Sequence, residues 1–181
     1  MDSFLSSLVP EPYQVLGVLL RPLSFGHVVL LSRLELDPLV SPGELALAVQ
    51  ICSRPFSEGV QFIDKATSPA GFAALEKFAT ECSKRDTAKA FEAWIGYLEA
   101  HSSAPEYFEA EKGETKRGAP FLAQMRVWLL GRCNYSPEYI MDAPFGQCLW
   151  DYGASVEESA GEGIVGDKHR EIEALLEAAR N

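Results

Sequence analysis

The histidines and cysteines of this sequence could support nucleophilic catalysis, which requires a Ser or Cys next to a positioned base. The three imidazole bases are His27, His101 and His169. His27 lies in the first turn of a predicted buried helix. It is either a base that faces a cysteine across the core or a structural histidine held by hydrogen bonds, and the structural interpretation is preferred. We expect His101, at a helix end, and His169, in the last helix, to be solvated.

The four cysteines form no recognisable metal or redox motif. No two of them are spaced as C-x-x-C, and no histidine stands at metal-ligand spacing from any of them. Each lies in an apolar or helical context, where cysteine usually behaves as a small hydrophobic residue, and reduced thiols are typical of a cytoplasmic protein. The sequence therefore predicts no catalytic residue, no metal, no cofactor and a cytoplasmic location. The cysteines are Cys52, Cys82, Cys133 and Cys148.

The sequence also shows no motif for acid–base catalysis or for phosphate binding in the structural context that such a motif requires. Glu157 and Glu158 are neighbours in a predicted helix, so their carboxylates point in different directions and do not form a catalytic pair. The glycines at 161, 163 and 166 have the G-x-G-x-x-G spacing, but they follow an acidic helix rather than the strand that this phosphate-binding motif requires. The basic cluster in residues 112–117 is nearly neutralised by Glu111 and Glu114. We therefore predict neither nucleotide nor nucleic-acid binding.

Acidic residues dominate the chain, which has a formal net charge of −10. Residues 137–181 hold ten acids against three bases, so most of this charge lies near the end of the sequence. Such a surface repels phosphate, which again argues against DNA or RNA as a partner. This acidic surface has two interpretations. It is an ordinary solubilising surface, or it keeps the protein in solution while the protein handles apolar segments.

Aromatic residues crowd into residues 121–156, and this segment is the best candidate for a binding site in the sequence. Aromatic and Met side chains are enriched at protein-binding surfaces, but they also fill ordinary cores, and the core interpretation is preferred. If the segment does bind a partner, we expect an exposed apolar groove near Phe145, Leu149 and Tyr152. The candidate partner-binding residues are Trp128, Tyr139, Phe145, Leu149, Trp150 and Tyr152.

Helix start and stop signals divide most of the chain into short helices. Ser-Pro steps at 41–42, 68–69 and 136–137 combine an N-cap serine with proline at the first helical position. Residues 13–20 could form either a helix or a strand, while no stretch shows sustained alternation and Asn-Gly and Asp-Gly turns are missing. The sequence thus predicts an all-α, irregular bundle of about seven to nine helices. Their expected N-caps or first residues are Ser24, Ser41, Phe56, Ser68, Thr87, Pro120, Ser136, Pro144 and Asp167.

These helices are expected to form a single domain over residues 1–160. Within it, residues 102–118 are polar and flanked by Ser, Pro and Gly, which predicts a mobile surface loop. Residues 161–181 indicate a Gly-hinged, acidic C-terminal helix whose narrow apolar stripe suits a groove on the body or on a partner. The longest apolar run, residues 15–20, is too short to span a bilayer, and the start has no basic n-region. We expect no signal peptide and no membrane association.

Two parts of the sequence resemble phage proteins. Residues 20–34, LRPLSFGHVVLLSRL, followed by residues 48–56, AVQICSRPF, resemble small proteins encoded in phage and prophage tail regions. Residues 135–150, YSPEYIMDAPFGQCLW, are similar to the C-terminal part of phage tail assembly chaperones, which has a short helix, a step into proline and a longer helix before an acidic, Gly-rich tail. Residues 57–118 carry no resemblance.

The resemblance implies a non-enzymatic protein that binds the tail tape-measure protein during assembly, keeps its apolar helices soluble and is not part of the finished particle. An acidic helical protein with aromatic and apolar faces is compatible with this role, because such faces can shield an amphipathic helix. Two alternatives stay open. One is a structural connector or other tail component that forms rings in isolation, and the other is an enzyme of unrecognised type with a polar pocket near His27 or a cysteine. The oligomeric state is not predicted.

Overall fold

The computed structural model describes residues 11–39, 41–84, 86–104 and 120–160. Over these ranges the chain forms one small hairpin and eight helices, which confirms the expected all-α class. The predicted surface loop at 102–118 and the predicted Gly-hinged helix at 161–181 fall mainly or entirely on residues outside these ranges. The elements are β1 Tyr13–Val15, β2 Val18–Leu20, α1 Phe25–Arg33, α2 Pro42–Cys52, α3 Phe56–Ala66, α4 Pro69–Ser83, α5 Thr87–His101, α6 Phe121–Gly131, α7 Pro137–Asp142 and α8 Phe145–Ala160.

Serine side chains begin four of these helices, as the sequence predicts. Each serine hydroxyl accepts a hydrogen bond from the backbone N–H three residues later, at 3.1–3.2 Å, which satisfies a donor that the helix itself leaves unpaired. The predicted cap Thr87 is one residue late, because the Asp86 carboxylate accepts the bond from the Lys89 N–H at 3.3 Å. The serine caps are Ser24, Ser41, Ser68 and Ser136.

The segment 13–20, which the sequence leaves open between helix and strand, forms the antiparallel hairpin of β1 and β2. Tyr13 pairs with Leu20 and Val15 with Val18. The two turn residues, Leu16 and Gly17, both have positive φ, at 53° and 75°, as a two-residue hairpin loop requires. Glycine adopts this conformation freely, whereas for leucine it is strained. The Leu16 side chain is buried in the core, and this burial offsets the strain.

Helix α2 forms the centre of the core, and its apolar side chains are almost completely buried. It packs against α1, α3, α4 and β2. The hydroxyl of Tyr97 on α5 donates to the backbone oxygen of Arg21 at 3.0 Å, and the Arg21 N–H donates to the Cys52 oxygen at 3.0 Å. The hairpin therefore connects α2 to α5. The fully buried α2 residues are Leu45, Ala46, Ala48, Val49, Ile51 and Cys52.

Backbone contacts join the start of α1 to the start of α8. The Phe25 N–H donates to the Ala143 oxygen at 3.0 Å, and the Phe145 N–H donates to the Leu23 oxygen at 2.7 Å. At the same place Gly26 lies against the Met141 oxygen and the Phe56 ring so closely that a Cβ would overlap both. Residues 23–26 and 141–145, which are distant in sequence, are thus held together by main-chain hydrogen bonds.

None of the helices in the described ranges is long and apolar enough to cross a membrane.

Candidate functional site

His27 is a buried, fully hydrogen-bonded histidine. Its Nδ1 accepts a bond from the Ser24 N–H at 3.1 Å, so the ring proton is on Nε2, which donates to the Arg54 oxygen at 2.7 Å. Burial lowers the pKa of His27, which keeps the ring neutral. Both nitrogens are thus occupied by the backbone, and no lone pair is left to act as a base. The geometry matches the structural interpretation of this residue.

His101 is also buried, and the expectation that it is solvated is wrong. Its side chain is only 4% exposed. The ring packs edge-on against Tyr13, with centroids 5.6 Å apart, and Nδ1 donates to the Tyr97 oxygen at 2.8 Å. Burial lowers its pKa. The sequence places this residue correctly at a helix end, but Tyr13 of the hairpin covers that end. The sequence leaves the hairpin segment open between helix and strand, so it could not indicate this contact.

The cysteines are not disulfide-bonded and lie mostly in the core. Burial raises the pKa of Cys52 to about 12 and that of Cys148 to about 12. Both therefore stay protonated near neutral pH, whereas a nucleophilic or metal-binding cysteine must be a thiolate. Among the residues that the structure describes, no group of three or more His, Cys, Asp or Glu side chains is placed to hold a metal ion.

The candidate binding residues on and near α8 fall into three groups, of which the first is core. Phe145 is buried and packs against Phe25 of α1, with ring centroids 6.4 Å apart. Phe145 is therefore not part of an exposed apolar groove, and the prediction is wrong for this residue. Its place in the core follows from the backbone pairing of residues 23–25 with 143–145, a long-range contact that periodicity does not report.

The second group forms a partly exposed surface, which we call the aromatic face: Phe121, Trp128, Leu149 and Tyr152. The Tyr152 ring lies edge-on to Phe121 and to Trp128, with centroids 5.8 and 5.9 Å apart. Leu149 and Tyr152 are three residues apart on α8 and share one side of it. Phe121 is 51% exposed, and the other three side chains are partly buried.

The rim of the aromatic face carries polar groups. The Arg132 guanidinium lies 5.8 Å from the Trp128 ring centroid, within the range of a cation–π contact. The Trp128 indole N–H is buried and has no hydrogen-bond partner among the residues that the structure describes. An apolar surface with a cation at its edge is typical of protein-binding patches.

The third group lies on the other side of α8. Trp150 is two residues from Tyr152, so its side chain leaves the helix in a nearly opposite direction, and its indole N–H donates to the Ser103 hydroxyl at 3.4 Å. Tyr139 is 47% exposed and reaches Gln147, whose side-chain nitrogen is 3.5 Å from the Tyr139 hydroxyl. The six candidates therefore do not form one continuous surface.

A partly buried hydrogen-bond network adjoins Tyr139. The Tyr135 ring lies edge-on to Tyr139, with centroids 4.9 Å apart. The Tyr135 hydroxyl donates to the Asp151 carboxylate and accepts a bond from Gln147 at 3.2 Å. Partial burial and the adjacent Asp151 carboxylate raise the pKa of Tyr135, so this group is a hydrogen-bond donor rather than a titrating acid.

A groove between α3 and α4 is a further surface feature, and the sequence did not indicate it. It has a volume of about 380 Å³, and an adjoining cleft of about 630 Å³ shares three of its lining residues. Phe72, Leu75 and Phe78 recur along α4 at spacings of three residues, yet Phe72 is 61% exposed and Leu75 and Phe78 are only partly buried. The shared residues are Arg54, Phe62 and Lys65.

Comparisons of this chain with family models, with curated proteins and with solved structures found no match. Over the described ranges the chain is mostly helical, with an aromatic face and a groove between α3 and α4 that these ranges leave open.

Proposed function

We propose that this protein is a non-enzymatic adaptor or chaperone that binds an amphipathic helical segment of another protein. The observation that carries the proposal is the aromatic face, in which Phe121 is half exposed and lies edge-on to Tyr152, while Tyr152 in turn lies edge-on to Trp128. Aromatic side chains lose little conformational entropy on binding and bury a large area, so preordered exposed rings favour association.

The state of the titratable groups supports binding rather than catalysis. A catalytic base needs an accessible lone pair, whereas both nitrogens of His27 are bonded to the backbone. A nucleophilic thiol needs a lowered pKa, whereas burial raises the pKa of Cys52 and Cys148. These groups stabilise the fold, and the aromatic face is the better candidate for function.

The partner that we propose is the tape-measure protein of a phage tail, and the support for this is the resemblance of residues 20–34, 48–56 and 135–150. The resembling stretches are neighbours in the fold. Residues 23–25 pair with residues 143–145 through main-chain hydrogen bonds, and the Arg54 oxygen accepts the bond from His27. A tape-measure protein is a long helical chain, and its apolar stripes are the kind of ligand that a surface such as the aromatic face can cover.

The test is co-expression of this protein with the tape-measure protein of the same phage, followed by purification of the complex. We expect a stable complex that keeps the tape-measure protein soluble. Phe121→Ser should weaken the complex about tenfold, because it removes one exposed anchor from the interface. Val127→Ser is the matched control, since Val127 is on the same helix and is 69% exposed, but its side chain leaves α6 about 100° around the helix from that of Trp128 and is not part of the aromatic face.

Two outcomes would contradict the proposal. If no complex forms although both proteins are folded, the tape-measure protein is not the partner. If Phe121→Ser and Val127→Ser weaken the complex equally, binding does not depend on the aromatic face. Closed rings of this protein alone, detected by light scattering, would instead favour a structural tail connector.

A further inference from the structure

The groove between α3 and α4 has an apolar floor that the rest of the described chain leaves uncovered. Among the α3 residues only Gly59 is buried, and among the α4 side chains that the structure describes only Cys82 is buried. Gly71 allows the two helices to approach, because a Cβ at this position would overlap the Lys65 backbone oxygen. The floor consists of Phe62, Ala66, Ala74, Leu75 and Phe78.

Two cations, Arg54 and Lys65, line the groove together with these apolar side chains. The ion pairs within the described ranges, Lys84–Glu81 and Lys89–Asp86, leave both of these cations without an acidic partner. Arg54 is nevertheless held in place: its guanidinium lies 4.6 Å from the Phe62 ring centroid and donates to the Ser53 hydroxyl at 3.1 Å. The groove thus combines an apolar floor with two cations that make no ion pair within the described ranges.

The acids near the groove are placed away from its apolar part. Glu58 lines the adjoining cleft, where the other lining side chains are polar apart from Phe62, and it does not line the apolar groove. The apolar groove is thus lined by two cations and no carboxylate, and the same two cations also line the neighbouring cleft, where Glu58 lies. Charge complementarity favours an occupant that has apolar side chains flanked by carboxylates.

We infer that this groove docks an acidic amphipathic helix of a partner protein, and that it is a second binding site separate from the aromatic face. The floor follows α4 from Gly71 to Phe78, a distance of about 10 Å at the α-helical rise, which accommodates about two turns of a docked helix. The apolar stripe of the docked helix packs on Leu75 and Phe78, and an Asp or Glu that flanks this stripe pairs with Lys65. The inference does not depend on the identity of the tail partner.

The test uses the full chain and two synthetic peptides of about 18 residues, long enough to form a helix. Both carry leucines at helical spacing, one with Glu and the other with Lys at the flanking positions. We expect the acidic peptide to bind about tenfold more tightly than the basic one at low ionic strength, with the difference lost as salt is added. Isothermal titration calorimetry measures both affinities.

Two charge-reversal variants locate the binding. Lys65→Glu should weaken the acidic peptide about fivefold, because an attraction at an exposed pair becomes a repulsion. Lys77→Glu is the matched control: it makes the same charge change on an exposed α4 residue that does not line the groove. Both replaced side chains are exposed, so the variants should fold normally. Leu75→Asp, which puts a charge on the floor, should abolish binding, and circular dichroism checks its helix content.

The inference is overturned if the acidic and basic peptides bind equally, if neither binds, or if Lys65→Glu and Lys77→Glu have the same effect. Two further results would assign the groove to another occupant and also overturn the inference. The first is that the Leu176→Asp variant binds the peptide more tightly than the wild type does, which would mean that residues 161–181 of this chain occupy the groove. The second is self-association of the protein that Lys65→Glu removes, which would mean that a second copy does. The complex with the tape-measure protein is measured separately, through Phe121→Ser, so the two proposals can fail independently.

Discussion

Helices α2 and α4 begin with the same Ser-Pro step and pack against each other, yet they differ in how much of their apolar surface is buried. In α2, Leu45, Val49 and Ile51 are inaccessible to solvent. In α4, which has an equally clear apolar stripe, Phe72 is 61% exposed and Leu75 is only partly buried. The start signal is therefore the same, and the outcome is different. Helix α4 also carries more polar side chains than α2, in which only Glu44 and Gln50 are polar.

The difference lies in the neighbours of each helix. Within the described ranges α2 is surrounded by α1, α3, α4 and β2, whereas the main contacts of α4 are with α2 and α3 alone. A helix needs packed elements on several sides to bury all of its apolar residues, and an amphipathic stripe only indicates which side is available. The stripe of α4 is thus partly a surface, which is why the groove beside it is a candidate docking site.

The largest effect that tests this comparison is expected from truncating one leucine in each helix. Leu45→Ala should lower the free energy of unfolding by about 3 kcal/mol, because it leaves a cavity in a tightly packed core. Leu75→Ala should lower it by about 1 kcal/mol or less, since its side chain is partly solvated in the folded state. Urea unfolding of both variants gives the two values. Equal losses would mean that α4 is as well packed as α2 in solution.

The start signals of the helices were predictable from sequence because capping is local. A serine hydroxyl and the N–H three residues later are close in sequence, so Ser24, Ser41, Ser68 and Ser136 could be identified as caps without any tertiary information. Asn134, which lies two residues beyond the α6 cap Arg132, has a φ of 55°, a left-handed conformation that Asn adopts more readily than most residues. These signals account for the fold class and for most element boundaries.

Features that depend on long-range contacts could not be predicted in this way. The hairpin was ambiguous because Leu16 occupies a turn position that Asn or Asp usually fills, and the burial of His101 follows from that hairpin. Phe145 belongs to the core because residues 23–25 pair with residues 143–145. The groove depends on which helices are missing around α4, a property that no segment of α4 encodes by itself.

A second prediction compares two glycines at close helix contacts. Gly26→Ala should lower the free energy of unfolding by about 2–3 kcal/mol, because its Cβ would overlap the Met141 oxygen and the Phe56 ring in a region fixed by main-chain hydrogen bonds. Gly71→Ala also meets a backbone oxygen, that of Lys65. There the loss should be about 1 kcal/mol, since the first turn of α4 is mostly exposed and can move outward.

Gly131→Ala provides the control for these two variants. Apart from the backbone of its own helix, no described atom lies within 4 Å of the added methyl group. The change should therefore be neutral or slightly stabilising, because alanine has a higher helix propensity than glycine. Thermal or urea unfolding measures all three. A loss at Gly71 as large as that at Gly26 would show that the α3–α4 contact is rigid and would contradict the proposed difference between the two regions.

The smallest expected effect is the pH dependence that His27 confers on the well-packed region. Burial lowers its pKa in the folded state, while the unfolded chain titrates near pH 6.5. The unfolded state therefore binds a proton first as pH falls, and stability that is complete above about pH 7 is lost progressively below about pH 6.5. Because His27 stays neutral in the folded state, the free energy of unfolding should fall by about 1 kcal/mol between pH 7 and pH 5.5.

Urea unfolding of the wild type and of His27→Gln at these two pH values measures this contribution. The variant should be less stable at both, because it disturbs the bonds to Ser24 and Arg54, but its loss between pH 7 and pH 5.5 should be smaller by about 1 kcal/mol. Part of the pH dependence should persist, since His101 has a lowered pKa for the same reason. Helix α4 contains no histidine, so acid should weaken it only through global unfolding. An unchanged pH dependence in His27→Gln would mean that the buried ring already binds a proton in the folded state, which its bond to the Ser24 N–H does not permit.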